Sequence, residues 1–204
     1  MVTRQILTLK TSSSNLGETA NFKKLNMKYW IETHTGKRFD YENIELNKID
    51  IKDIAHALSN TCRFNGHSSE FYSVAEHSIG VAVAMPSCRY MLPALLHDAT
   101  EAYMPDVSKP LKGYWNTFFN LDEFEDKISK HIYLQLGISI DEEIWKQIKI
   151  YDYAMLRRER DYLFEGKQLW EFPKEIPVIK PEIHKWSPKV AEKMFLKFYD
   201  LLKQ

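Results

Sequence analysis

The chain is poor in cysteine, has no surplus of charge of either sign and contains no long apolar run. Cys62 and Cys88 are the two cysteines among 204 residues, too few for a disulfide framework and suited to a reducing compartment. The 28 basic residues match the 28 acidic ones, so no global field recruits nucleic acid or an anionic membrane. Any phosphate must then be held by a local cluster. The longest apolar stretches, such as IGVAVAM before Pro86, fall far short of the ~20 residues that span a bilayer. The first residues lack the apolar stretch and cleavage signal of a secretory peptide, and no internal repeat or low-complexity tract is present. The expectation is a cytoplasmic protein with no membrane partner and no long nucleic acid. With 44% hydrophobic residues the chain can fill one core, and we read residues 27–204 as a single domain after a loosely held extension over residues 1–26.

Hydrophobic spacing makes this domain an all-α bundle with a minor N-terminal β-hairpin. Aromatic and β-branched residues on either side of Thr35-Gly36 predict the hairpin. Asp50 is the expected cap of a helix whose Ile51, Ile54, Ala55 and Leu58 share a face, and CRFNGHSS then breaks it. Ser68 or Ser69 is the expected cap of the next helix, with Phe71, Val74, Ala75, Ser78, Ala82 and Met85 inward and His77 near the edge of that stripe. A third helix is expected to carry Pro93 in its first turn and to end near Met104, because Pro105 disfavours helical geometry just before itself. A fourth spans about Thr117 to Leu136, stopped by Gly137, and Ser139 with Glu142 forms a capping box for a long fifth helix. On that helix Ile144, Ile148, Asp152 and Met155 line one face. An irregular strap over residues 166–186 leads to a last helix from Ser187-Pro188, with Val190, Ala191, Met194, Phe195 and Phe198 inward.

Chemistry concentrates at His97-Asp98, an ionisable pair that ends the apolar run MLPALL. Buried ionisable groups must be satisfied, and His77 and Asp152 occupy inward positions on other helices from which they can join the pair. Each residue alone reads as readily as a satisfied core histidine or an ion-pair member. Two imidazoles and two carboxylates together leave room for water in an octahedral shell, which fits a catalytic Mn, Co, Fe, Ni, Mg or Zn ion better than a closed structural zinc.

The strings AEHS, HDATEAYMPDVSKPLK and IYDYAM resemble the HD-domain metal-dependent phosphohydrolases, in the branch of 5′-deoxynucleotidases and phage dATP triphosphohydrolases. The resemblance covers residues 50–164 or so. It implies His77, His97, Asp98 and Asp152 as metal ligands, Glu101 as the catalytic carboxylate and Asp106 as a second carboxylate in the same proton traffic. Arg63 and Lys112 match the branch's phosphate-holding cations, a task that suits a guanidinium fork. Phe64 stands where the branch can carry tryptophan, which keeps a stacking ring and loses the indole hydrogen bond. His67 is a looser phosphate contact or a helix cap, and Arg157 and Arg158 are candidates for a longer phosphate chain within what otherwise reads as a solvated charge run with Glu159 and Asp161.

The implied activity is release of a nucleoside from a 5′-(deoxy)nucleotide, as a dNTP triphosphohydrolase or a 5′-deoxynucleotidase. The implied partner is a small nucleotide, and the implied assembly a homo-oligomer in the cytoplasm, or in the host's where phage-encoded. The rivals are a phosphodiesterase on cyclic or short oligonucleotides and a non-catalytic nucleotide-binding regulator. A diiron oxygenase on the same scaffold would need further inward histidines, and His56 and His131 do not sit in a comparable pattern.

Overall fold

The structure, a computed structural model, describes residues 29–118, 120–165 and 170–204. The expected extension over residues 1–26 lies outside them. The described chain is mostly helical with one small antiparallel sheet, as the spacing predicts. Strand β1 (Trp30–Glu32) pairs with β2 (Arg38–Asp40), with Ile31 opposite Phe39. Gly36, at φ 76°, closes the turn between them, a left-handed conformation that costs glycine nothing. The turn is tied to the bundle by Asp53, which accepts from Thr35 N at 2.6 Å and from Thr35 Oγ1 at 2.9 Å.

Helix α1 (Ile51–Asn60) begins at Asp50, whose side chain accepts from Lys52 N as expected. The next start differs from expectation. Helix α2 (Val74–Ala84) is capped by Ser73, which accepts from Glu76 N, and neither Ser68 nor Ser69 is its cap. The reason is long-range: Cys62 and Ser73 form an antiparallel bridge, and Arg63 N and Val74 N bond back to Tyr72 O and Thr61 O. That pairing holds the chain extended up to Ser73, leaving Phe71 exposed. Ser73→Ala is expected to cost about 1 kcal/mol of unfolding free energy in urea, and Ser68→Ala less than about 0.5 kcal/mol. Equal effects would return the cap to the earlier serine.

Helix α2 is the centre of the bundle and packs against four other helices: α1, α3 (Cys88–Leu95), α6 (Glu142–Leu163) and α7 (Pro188–Leu202). Every residue from Val74 to Ala82 is buried, so His77 sits deep inside and not at the edge of a stripe. The small side chains of α2 permit this crowding. A Cβ on Gly80 would stand 2.8 Å from Met155 Cε, which shows how closely α2 approaches α6.

Helix α3 is shorter than expected and starts earlier, with Pro93 inside it and not in its first turn. Pro93 has no N–H to continue the ladder, and the helix closes two residues later. A 3-10 turn (Ala99–Ala102) follows, so the segment still ends next to Met104. Beyond it lies a short helix without an expected counterpart, α4 (Lys109–Trp115), and then α5 (Leu121–Leu136). Asn120 caps α5 by accepting from Glu123 N, later than the expected start at Thr117, and Gly137 ends it at φ 65° as expected. Helix α6 is capped by Asp141, which accepts from Ile144 N, in place of a Ser139 box. On α7, Ala191 and Phe195 are buried while Val190 is exposed. Among the described residues no helix is long and apolar enough to cross a membrane.

The chain from Trp170 to Trp186 is irregular, and Glu76 holds its far end. This buried carboxylate accepts from the backbone amides of His184, Lys185 and Trp186 at 2.6 to 3.0 Å. Three amide donors satisfy a charge that would otherwise be costly inside the bundle.

Candidate metal centre

His77, on the first turns of α2, and His97 with Asp98, where α3 gives way to the 3-10 turn, place ligand atoms within 4.8 Å of one another. Asp98 and His97 therefore occupy a turn, and not the interior of the expected helix that runs on to near Met104. Asp152 joins them from α6. His77 Nε2 is 3.3 Å from Asp152 Oδ1 and 3.7 Å from Asp98 Oδ2. His97 Nε2 is 3.2 Å from Asp98 Oδ1 and 3.9 Å from Asp152 Oδ1.

The outward nitrogens of both rings are already engaged. His97 Nδ1–H donates to Ala94 O at 2.8 Å, a bond that only the protonated nitrogen can make. His77 Nδ1 meets Glu159 Oε1 at 2.5 Å. Both Nε2 atoms are thus turned towards the two aspartates, buried and without a hydrogen-bond partner. An unpaired buried nitrogen facing carboxylates is costly unless a cation lies between them. The spacings also suit one ion: neighbouring ligands of an octahedral ion with bonds of ~2.1 Å stand ~3 Å apart, slightly inside the distances seen. The donor set therefore fits a divalent metal.

Electrostatics point the same way. Burial and the Arg63 charge work against protonation of His77, but Glu159 and Asp152 outweigh them and raise it to about 9. Burial lowers His97, against the opposing pull of Asp98 and Asp152. Burial alone would raise Asp152, yet the close approach of His77 and the charges of His97, His77 and Arg63 hold its carboxyl far below the usual range. The cluster is tuned to hold positive charge between its carboxylates.

Beside the cluster lies a cavity of about 910 Å³. His97, Asp98 and Asp152 line it together with Glu101, Asp106, Arg63, Phe64, His67 and Lys112. Glu101 is kept well above its ordinary value, first by burial and then by the negative charges of Asp98 and Asp106, and its Oε2 has no partner. Burial likewise raises Asp106, against the pull of Arg63. Arg63 is nearly buried, with Nη2 3.1 Å from Glu159 Oε2 and Nη1 3.7 Å from Asp98 Oδ2. Burial disfavours its charge, but Glu159 and Asp98 outweigh it and keep the guanidinium ionised. Phe64 and Asn65, at φ 56° and 51°, form a left-handed pair that costs about 1–3 kcal/mol each. The Arg63 ion pairs and the bridge at Ser73 hold that loop in place.

No family model matches the chain. It is 35% identical over 175 residues to the uncharacterized protein YfdR of Escherichia coli K12, an alignment that covers 84% of this chain and 95% of that protein. The chain belongs to the family of YfdR. It is also 33% identical over 144 residues to an uncharacterized protein of Rhodobacter capsulatus, covering 66% of this chain and 72% of the relative.

Within this member of the YfdR family, two expected phosphate contacts are placed elsewhere. Arg157 Nη2 donates to Pro177 O at 2.9 Å and Arg158 Nε to Pro181 O at 2.6 Å, so both arginines hold the irregular strap and neither lines the cavity. Lys112 does line it, but its ammonium pairs with Asp122 at 2.7 Å and with Glu125. Burial opposes its charge, and the hydrogen bonds of those two carboxylates raise it nonetheless.

Three residues were not singled out by sequence. Glu159 is completely buried against His77 and Arg63 and is not part of a solvated run. Trp170 lines the cavity with its ring 6.0 Å from that of Phe64, restoring an indole near the position where Phe64 lacks one. Lys149 lines the cavity one turn before Asp152, and among the described residues no carboxylate pairs with it. For Glu159 and Lys149 the signal was helical spacing from Asp152, at seven positions after and three before.

Proposed function

We propose that the chain is a divalent-metal-dependent phosphohydrolase of the HD type, which cleaves the 5′-phosphate ester of (deoxy)nucleotides and releases a nucleoside. The observation that carries this reading is the pair of buried, unpartnered Nε2 atoms of His77 and His97 facing Asp98 and Asp152 beside a cavity of nucleotide size. When bound there, a divalent ion supplies Lewis-acid polarisation of a phosphate oxygen and a lowered pKa for water.

The remaining work falls to side chains. Arg63, ionised and held in its loop, offers its guanidinium to the phosphate as charge develops. Glu101, buried and unpartnered at Oε2, holds a proton that it can pass to the leaving 5′-oxygen, and Asp106 lines the same cavity as the second carboxylate of that traffic. Phe64 and Trp170 offer aromatic faces to a base or sugar. Lys112 is engaged by Asp122 and Glu125, so the cation for phosphates beyond the first is Lys149, whose ammonium lies 4.9 Å from the centre of the Trp145 ring.

A panel of deoxynucleoside mono- and triphosphates and a cyclic dinucleotide, incubated with Mn-loaded protein and resolved by chromatography, tests the reading. Nucleoside with inorganic triphosphate or phosphate is expected. Nucleoside monophosphates from the cyclic substrate would instead establish a phosphodiesterase, and nucleotide-induced stabilisation without product a binding protein. If the substrate is a triphosphate, Lys149→Ala raises its KM by about 5-fold or more and leaves a monophosphate's nearly unchanged, because an exposed charged contact is worth about 1 kcal/mol. An equal effect on both would remove Lys149 from the phosphate tail.

A further inference from the structure

On the face of the bundle where the hairpin docks, three elements bring metal-binding side chains together. His34 comes from the β1–β2 turn, His56 from α1 and Glu192 from α7, and one ligand atom from each lies within 4.8 Å of the other two. The rings of His34 and His56 stack with centroids 3.6 Å apart and planes 10° apart. The stack thus brings two imidazoles, common metal ligands, into direct contact. Glu192 Oε2 is 3.1 Å from His56 Nδ1 and orients its ring, while Asn60 Nδ2 approaches the opposite nitrogen at 3.5 Å.

We propose that His34, His56 and Glu192 form a second metal site, for a borderline transition ion such as zinc, which staples the hairpin to α1 and α7. Two imidazoles and one carboxylate match the three-ligand set of open zinc sites, whereas Mg and Ca favour all-oxygen shells. Sharing one ion requires the stacked planes to open, since each nitrogen lone pair lies in its own ring plane. His34 sits on an exposed turn and has room to rotate. The turn already rests on Asp53 through Thr35, one position from His34, so the ion needs only to order a side chain and not to recruit a distant loop. His131, the other buried histidine away from the central cluster, is engaged by Asn47 O at 2.8 Å and is not part of either site.

The test uses full-length, metal-stripped chain carrying His97→Ala, which breaks the central cluster, and compares it with the same chain also carrying His34→Ala. Zinc titrated by calorimetry is expected to bind once to the first and not at all to the second. Amide exchange over residues 30–41 is expected to slow on adding zinc to the first alone. Because the exposed His34→Ala leaves the core intact, matching circular dichroism spectra are expected for both. Equal zinc stoichiometry in the two variants would overturn the site, as would a His97→Ala chain that binds none. Neither outcome bears on hydrolysis, which wild-type product analysis decides separately.

Discussion

Asp98→Ala is expected to lose both metal and turnover. Asp98 stands 3.2 Å from His97 Nε2 and 3.7 Å from both His77 Nε2 and Arg63 Nη1, so its removal takes away a ligand charge and the carboxylate that opposes two imidazoles and a guanidinium at once. Manganese binding should fall below detection by calorimetry, and kcat/KM by about 10³-fold or more, about 4 kcal/mol of transition-state stabilisation. Glu101→Gln should separate the two properties. Glu101 is adjacent to the cluster without belonging to it, so this variant keeps its metal and loses turnover by about 10²- to 10⁴-fold, the range of a single acid–base group. Loss of metal in the Glu101 variant would place that residue among the ligands and undo the division.

Glu159→Gln is expected to damage the protein from behind the site. Glu159 does not line the cavity beside the cluster, yet it orients His77 through Nδ1 and faces Arg63 at full burial. Neutralising it frees the His77 ring to rotate and leaves a guanidinium inside the bundle with less compensation. Partners of a liganding histidine are worth about 10- to 100-fold in metal affinity. Breaking a buried ion pair costs about 3–5 kcal/mol, which for a domain of this size lowers the melting temperature by roughly 10 °C. Asp161→Asn, two positions away and paired on the surface with Arg160, should change neither quantity by more than about 0.5 kcal/mol. Similar effects for both acids would mean that the run Arg157 to Asp161 is the solvated face that its composition suggests.

The contrast between those two acids shows what could be read from sequence. Composition within the run made Glu159 and Asp161 equivalent, whereas position relative to Asp152 separates them, since seven residues return a helix to the same face. The same periodicity had already turned Asp152 inward, and the structure brings it to His77 and His97. Arg157 and Arg158 fall off that face, and the carbonyls of Pro177 and Pro181 claim them. Local signals served where the backbone decides by itself: the Thr35-Gly36 turn, the Asp50 cap and the Gly137 stop all appear as expected. They failed where distant chain intervenes. Ser73 caps α2 because residues 61–63 pair with residues 72–74, and no local rule distinguishes it from Ser68 or Ser69. Trp170 lines the cavity from an irregular segment, and irregular segments carry no period.

The central claim is that His77, His97, Asp98 and Asp152 hold one ion. Anomalous diffraction from crystals grown with manganese tests it most directly. A peak within about 2.3 Å of both Nε2 atoms and of a carboxylate oxygen from each aspartate is the predicted result. A peak that leaves out either histidine, or a cluster closed by direct His–Asp hydrogen bonds with no ion between them, would contradict it.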